Sequence, residues 1–253
     1  MFARYLLLCC LALGLPLHAA EVAAAPDARV VVLSSLEWPP YTSEALPEQG
    51  TLATVARQAF KAMGYTLVIE FYPWSRAVHL ARHSPRFHGY FPEYHSATTA
   101  AEFIYSKPLG EGPLGFAERT DSNTTWRTLQ DLSGVSIGVV QDYINTDEFD
   151  RLAAAGVLRT DIATTDERNL LKLAIGHIDL AVIDRNVFDY LISTPALAQV
   201  RARLKMNPSL LEHKGLFICF KKGKKGAELA RIFNQGLQIV LASQQVKGSK
   251  SAR

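Results

Sequence analysis

The chain has 253 residues and a formal net charge of +3 at pH 7, from 27 lysines and arginines against 24 aspartates and glutamates. This near balance gives no broad basic face, so the composition argues against a nucleic-acid-binding protein. The length allows one large domain or two smaller lobes, each with a sizeable hydrophobic core.

The first 20 residues have the pattern of a secretory signal peptide. Arg4 is their single charged side chain, an apolar core extends from Tyr5 to Leu17, and small residues follow at Ala19 and Ala20. A membrane span needs roughly 20 apolar residues, and this core is shorter. We therefore predict an exported protein that is cleaved near Ala19 or Ala20.

The cysteines predict neither a disulfide nor a metal site. Cys9 and Cys10 lie inside the predicted signal, where lipid attachment is the alternative fate, but the bulky Leu8 precedes them. Cys219 is the one cysteine left after cleavage, and it lies in the apolar run 216–220. A single thiol forms no internal disulfide and no thiolate cluster, so Cys219 is expected to be a buried small hydrophobe.

Strand and helix patterns alternate along the first half of the chain. Short apolar runs indicate strands, and apolar residues at helical spacing with a following glycine, as at Gly64, indicate helices. Glu37-Trp38-Pro39-Pro40-Tyr41 ends the first strand in a stiff aromatic loop, because proline donates no ladder hydrogen bond. The predicted elements are a strand at 30–34, a helix at 52–63, a strand at 65–71, a helix from Pro73 to about Leu80 or Ala81, and extended runs at 87–91, 103–105 and 114–118.

The second half shows the same alternation more clearly. A capping box of Thr164 with Glu167 is predicted to open one helix, and Gly176 is predicted to end it. The predicted elements are a strand at 136–140, a helix opening at Asp147, a helix at 164–175, a strand at 178–184, a helix at 186–192, a strand at 215–220 and an amphipathic helix at 227–241. This alternation predicts two α/β lobes.

Together with the Pro-Pro-aromatic turn and the phrase DLSGVSIGV at 131–139, this order resembles the extracellular solute-binding proteins of bacterial polar amino-acid ABC importers, family 3. The resemblance covers nearly all of residues 28–243. It implies an α/β, two-lobe type II periplasmic-binding-protein fold with a ligand cleft between the lobes. Residues 1–20 are then the signal peptide, 26–117 and 213–243 lobe 1, 118–212 lobe 2, and 244–253 a disordered basic tail. Extended crossings near 115–120 and 212–217 are expected to act as hinges.

The candidate ligand-binding residues follow from the ends of the predicted strands, where α/β sheets hold ligands, and from the resemblance. They form an aromatic cleft that suits cations or rings, with carboxylates and a helix start beside it. They are Glu37, Trp38, Tyr41, Arg76, Tyr90, Glu93, Tyr94, Thr99, Tyr143, Asn145, Thr146 and Asp184. Trp74 is interpreted as a wall or hinge packing residue.

Charged groups decide which ligand this cleft takes. Asp184 resembles the family acid that holds an α-amino group, and it equally suits the N-cap of the following helix; one side chain can do both. Thr99 stands where the family phrase places its carboxylate-binding Arg, which favours a cationic or aromatic ligand. Arg76 replaces that Arg if it faces the cleft, and is otherwise a solvated charge or a structural ion pair.

The loop 141–146 offers a second way to hold an anion. Free backbone N–H groups at the helix start near Asn145 and Thr146 are suited to an anionic ligand group. The resembled family commonly has a small Gly-Thr or Gly-Ser pair in this loop. Tyr143 is bulkier, so it is expected to shrink or reshape the pocket.

The resemblance implies a periplasmic solute-binding protein, expected to be a monomer, that captures a small polar or amino-acid-like molecule for an ABC importer without catalysis or cofactor. Its partner is then an inner-membrane permease, or alternatively a sensor protein. A dehydratase-like enzyme on this fold, with Glu37 or Glu93 as general acid, is a further alternative. His79 and His83 share a helix face, but no HExxH phrase or acid-rich partner accompanies them, so no metal is predicted.

Overall fold

The architecture is known from a computed structural model that describes residues 29–251, with the side chains of residues 244 and 246–251 left out. The predicted signal peptide lies outside the described residues. Within them, no helix combines the length and the apolar character that a membrane crossing requires.

Nine strands and seven α-helices alternate through the described residues. The strands are β1 (Val30–Ser35), β2 (Thr66–Phe71), β3 (Gly89–Tyr94), β4 (Phe103–Tyr105), β5 (Gly110–Arg119), β6 (Ser136–Val140), β7 (Arg159–Ala163), β8 (Leu180–Asp184) and β9 (Leu204–Lys221). The helices are α1 (Thr51–Ala62), α2 (Trp74–His83), α3 (Ala97–Glu102), α4 (Asp147–Ala154), α5 (Asp166–Ala174), α6 (Arg185–Ser193) and α7 (Lys224–Ser251).

The strands form one sheet with the order β2-β1-β3-β9-β5-β8-β6-β7, and β4 also pairs with β9. Strands β1, β2 and β3 are parallel to one another, as are β6, β7 and β8. Between these two parallel groups, β5 runs antiparallel to residues 204–216 of β9. We call β1–β4 with α1–α3 and α7 the first lobe, β6–β8 with α4–α6 the second lobe, and β5 and β9 the hinge strands.

The first lobe buries an apolar face of α1 against α7. Phe60 and Phe233 meet with ring centroids 5.4 Å apart, and both are fully buried. The helices approach so closely that a Cβ at Gly236 would lie 1.9 Å from the carbonyl oxygen of Ala59. Helix α7 is therefore fixed to the lobe that contains β1.

The second lobe differs from expectation at the start of α5. Its N-cap is Thr165, whose hydroxyl accepts from the N–H of Arg168, and the helix begins at Asp166. The predicted capping box of Thr164 with Glu167 is therefore wrong: the N-cap lies one residue later, and Arg168 in the N3 position has no carboxylate or amide to complete such a box. Strand β7 was not predicted, because it has an edge position in the sheet and only one of its five residues is buried.

Two further differences concern the chain after residue 203. Strand β9 has 18 residues rather than the predicted six, since pairing with β5 extends it back to Leu204. Helix α7 continues to Ser251, so residues 244–251 of the predicted disordered tail are helical. No proline interrupts this stretch, and extending an existing helix is far easier than starting one. The lobe boundaries at 117–118 and 212–213 stay a prediction.

Candidate functional site

The two lobes meet where their parallel strands end, with Asp184 at the centre. This residue ends β8 and is 2% exposed. Its Oδ1 accepts hydrogen bonds from the N–H groups of Asn186 (2.8 Å) and Val187 (3.3 Å), which caps α6. The hydroxyls of Tyr41 and Tyr94, both from the first lobe, donate to the same carboxylate at 3.0 and 3.1 Å. Asp184 is therefore a helix cap and an acceptor across the cleft.

The protonation of these partners follows from their burial. Desolvation raises the pKa of Asp184, while the hydrogen bonds that it accepts act in the opposite direction. Burial and the nearby charge of Asp184 raise the pKa of Tyr41 and of Tyr94. Both tyrosine hydroxyls consequently remain protonated donors at neutral pH.

A second buried carboxylate, Asp166, is also bonded across the cleft. It is the first residue of α5, is 6% exposed, and accepts a 3.1 Å hydrogen bond from Nε1 of Trp38. Burial raises its pKa to about 7, and the charge of Asp184 acts in the same direction. Asp166 is not among the predicted site residues, because β7 sets its position at the edge of the sheet.

Three aromatic side chains close the cleft beside these acids, and we call Trp38, Trp74 and Tyr143 the aromatic wall. The Tyr143 ring meets Trp38 edge-on at 6.3 Å and Trp74 edge-on at 5.9 Å between centroids. Nε1 of Trp74 donates to the carbonyl of Asp142 at 3.0 Å, which adds another hydrogen bond between the lobes. Tyr143 therefore packs against both tryptophans, and the expectation that it shrinks or reshapes the pocket stays a prediction.

On the hinge side, two further ionisable side chains, Glu93 and Lys214, are buried beside the cleft. Glu93 is buried and accepts from the Tyr90 hydroxyl (3.0 Å) and from the N–H of Tyr94 (2.9 Å). Burial raises its pKa to about 8 despite these bonds. Lys214, from β9, is 5% exposed, donates to the carbonyl of Asn145 at 2.6 Å, and lies 5.3 Å from the Tyr94 ring centroid.

The helix start proposed for an anionic group is engaged in its own capping. The Thr146 hydroxyl accepts from the N–H of Phe149 at 3.1 Å, which caps α4. Asn145 donates through its backbone and its side chain to Asp150, at 2.9 and 2.8 Å. Both residues are buried, so they hold the loop 141–146 in place beside the cleft.

Three predicted residues lie away from the buried cluster. Arg76 is exposed and its guanidinium lies 5.2 Å from the ring centroid of Tyr72. Thr99 is half-buried in α3, where its N–H donates to the Ser96 hydroxyl. Glu37 is exposed at the outer rim. The structure thus brings neither Arg76 nor Thr99 to Asp184, and the sequence hypothesis that Arg76 replaces the family Arg gains no support from their positions.

The aromatic wall separates two spaces, an inner cavity and an outer groove. The inner space is a cavity of about 20 Å³, where the volume is that available to the centre of a water molecule. A cavity of this size has room for a single water. It is lined by Leu36, Pro92, Glu93, Tyr94, Ile144, Leu216 and the wall. The outer one is a groove of about 910 Å³ by the same measure, open between the lobes.

Metal chemistry has no evident site in this cleft. Across residues 29–251, no group of three or more His, Cys, Asp or Glu side chains is arranged to hold a metal ion. His79 and His83 do stack on α2 with ring centroids 4.5 Å apart, and both are exposed.

Sequence reasoning missed Asp166, Lys214 and Asn186 as cleft residues. Asn186 donates to the Tyr41 hydroxyl at 2.8 Å, and it directly follows the predicted strand that ends at Asp184. An interpretation of 159–163 as an edge strand would have placed Asp166 at the same sheet edge as Asp184. Nothing in the local sequence indicates that Lys214 lies in the cleft, because its position depends on the pairing of the two hinge strands.

Comparison with solved structures identifies the fold. A histidine kinase sensor domain with similarity to periplasmic binding proteins matches with a TM-score of 0.74 and 21% identity, over 88% of this chain and 95% of that chain. An ancestral arginine-binding protein bound to arginine matches with a TM-score of 0.69 and 15% identity, over 85% and 93%. A structure on glutathione import in Gram-positive bacteria via GshT and the cystine ABC importer TcyBC of Streptococcus mutans matches with a TM-score of 0.67 and 19% identity, over 85% and 90%.

These likenesses cover most of both chains, although no protein-family model and no curated protein matches the sequence. At such identities they establish the fold alone. The α/β architecture, the parallel groups of strands and the two hinge strands agree with them. The chain therefore has the predicted two-lobe fold of the periplasmic binding proteins.

Proposed function

We propose that this protein is an exported, periplasmic solute-binding protein that captures a small polar or amino-acid-like molecule between its lobes for an ABC importer, without chemical turnover. The observation that carries this proposal is the set of hydrogen bonds across the cleft. Trp38, Tyr41 and Tyr94 of the first lobe donate to two buried carboxylates of the second. A ligand with N–H donors can satisfy the same carboxylates and draw the lobes together.

The charges of the cleft favour a ligand with a cationic group. Three buried acids, Glu93, Asp166 and Asp184, are accompanied by one buried lysine, Lys214. A buried carboxylate is stabilised most by an ammonium or guanidinium that also donates hydrogen bonds. The ancestral arginine-binding protein bound to arginine is a protein of this fold that holds such a molecule.

A ligand screen by thermal shift tests the proposal. Amino acids, polyamines, organic acids and small peptides are added to the mature protein, and the melting temperature is followed. A ligand at about 100 times its dissociation constant stabilises the folded state by roughly 2.7 kcal/mol. We expect at least one cationic compound to raise the melting temperature by several degrees. A complete absence of stabilisation by every class would contradict the proposal.

A sensing role is the second candidate, because a histidine kinase sensor domain of the same fold matches over 88% of this chain. Transport and sensing share the ligand step and differ in the partner. Neighbouring genes for a permease and an ATPase would support transport, whereas an isolated gene or a sensor-kinase neighbour would support sensing. Formation of a product from a bound compound over time would replace both with the enzyme alternative.

A further inference from the structure

The outer groove is the larger of the two spaces beside the aromatic wall. Its 910 Å³ falls in the range of ligand pockets, about 300–1,000 Å³, whereas the inner cavity holds one water. Both lobes line it: the first through the segments 36–44 and 71–74, the second through Tyr143 and the segments 164–167 and 187–196. A molecule in this groove therefore touches both lobes without entering the inner cavity.

All the ionisable Asp, Glu, Lys, Arg and His side chains that line the groove are acidic. Four carboxylates line it, Glu37, Glu44, Asp166 and Glu167, and no lysine, arginine or histidine is among its described lining residues. Asp166 is the buried one of the four, and its hydrogen bond to Trp38 places it against the aromatic wall. An anion in this groove would face four carboxylates and no cationic side chain among the described lining residues, with the Arg76 guanidinium beside the groove on the Tyr72 ring, whereas a cation would be attracted by all four.

The rest of the lining is mainly apolar and aromatic. Phe71 and Tyr72 contribute from the first lobe, and Val187, Tyr190 and Leu191 contribute from the second. Such surfaces bury the body of a hydrophobic ligand, and tyrosine and tryptophan faces also attract a cationic group. The groove is thus built for a molecule that is charged at one end and apolar along its length.

We propose that the outer groove binds the greater part of the ligand, and that this ligand is an elongated organic cation whose charged end pairs with Asp166 and whose apolar body lies along the groove. This inference rests on the proposed function, because it requires a solute held between the lobes. It specifies that solute as a long amphipathic amine instead of a compact amino acid. Burial raises the pKa of Asp166 to about 7, so a cation that stabilises its ionised form also releases a proton near neutral pH.

Calorimetric titration of the mature protein with three probes tests the inference. They are 4-phenylbutylamine, which has both features, n-butylamine, which lacks the ring, and 4-phenylbutyrate, which reverses the charge. We expect 4-phenylbutylamine to bind at least about tenfold more tightly than either of the others. Its binding heat is also expected to depend on the buffer, because a proton is released.

Two variants of groove residues and one control variant test whether 4-phenylbutylamine binds in the groove. Asp166→Asn should weaken both amines by about tenfold or more, because it removes the buried charge while keeping the shape. Tyr190→Ala should weaken 4-phenylbutylamine by about tenfold and leave n-butylamine unchanged, because it removes only apolar wall. Asp189→Asn, an exposed neighbour on α6 outside the groove lining, should change nothing.

Failure of this inference can be told apart from failure of the proposed function. Equal affinity for the acid and the amine, no binding of 4-phenylbutylamine, or insensitivity to both variants overturns the groove assignment. If another compound still stabilises the protein and requires Asp184, the solute-binding function remains. If no compound of any class stabilises the protein, the proposed function itself is overturned.

Discussion

Asp184 joins the two lobes and caps α6, so a change at this position tests binding and stability together. In Asp184→Asn the remaining side-chain oxygen can still accept from the N–H of Asn186, while the negative charge is lost. For a ligand whose charged group reaches Asp184, we expect affinity to fall by on the order of 2–5 kcal/mol, as for loss of one side of a desolvated charge pair, with a much smaller effect on melting. A ligand held on Asp166 in the outer groove should lose much less affinity, because Asp184 does not line that groove. Titration calorimetry and thermal melting measure the two quantities.

Arg76→Ala is the matched control for Asp184→Asn. Because Arg76 is exposed over Tyr72, its removal should change affinity by less than about threefold, the order of an exposed interaction. A large loss in this variant would show that an anionic ligand group reaches α2. Intact affinity in Asp184→Asn for every ligand would reduce Asp184 to a helix cap.

Glu93 makes stability depend on pH. Its pKa is raised by burial to about 8, so the folded protein holds this proton more tightly than the unfolded chain does. The stability that it contributes is fully present below the unfolded pKa, near 4.5, and is lost as the pH rises through about 8. Asp166, with a pKa raised to about 7, acts in the same direction.

We therefore expect the melting temperature to fall by at least about 3 °C between about pH 5.5 and pH 8.5, since 1 kcal/mol corresponds to about 2–4 °C at this size. Glu93→Gln keeps the shape and should flatten this decline, and Asp189→Asn should leave it unchanged. A melting temperature that rises across this range in the unchanged protein would contradict the assignment.

Among the secondary-structure elements, the hinge strand β5 packs directly against Asp184 at Gly112. A Cβ at Gly112 would lie 2.1 Å from Oδ2 of Asp184 and 3.0 Å from the Tyr94 hydroxyl. Gly112→Ala should thus separate this pair, destabilise the closed protein by about 1–3 kcal/mol as other overpacked substitutions do, and weaken binding. Gly134→Ala is its control, because no atom lies within 4 Å of a Cβ there. Equal melting temperatures and affinities in the two variants would contradict this account.

Most elements could be predicted from the sequence because their signals are local. The apolar run of β1 and the helical spacing of α1 are examples, and the strand of Asp184 is another. Strand β7 and the first part of β9 could not be predicted. Their residues are largely half-exposed, and neighbouring strands, rather than their own composition, hold them extended.

The residues of the candidate site also divide into those that local sequence predicts and those that strand pairing places. Trp38, Tyr41 and Asp184 are placed by a local rule, since each follows a strand that the sequence reveals. Asp166 depends on the unpredicted β7, and Lys214 depends on the register of the hinge strands. The position of Arg76 after Pro73 at a helix start makes it a candidate for the cleft, but its helix places it over Tyr72 and exposed to solvent.

For the protein as a whole, the continuous sheet predicts a hinge rather than two independent bodies. Both hinge strands connect the lobes, so opening requires β5 and β9 to bend together. We expect a saturating ligand to favour the compact arrangement of the lobes and to lower the radius of gyration measured by solution scattering. An unchanged radius during measured binding would count against closure.

The aromatic wall has a further consequence. Two of the three tryptophans, Trp38 and Trp74, belong to it, and each donates its indole N–H to an oxygen of the opposite lobe. Indole fluorescence shifts in wavelength and intensity when its surroundings change from protein to water. Trp126 packs edge-on against Phe116 at 5.9 Å, outside this wall, and supplies a background. The protein therefore has an intrinsic optical reporter of its own cleft, which needs no attached label.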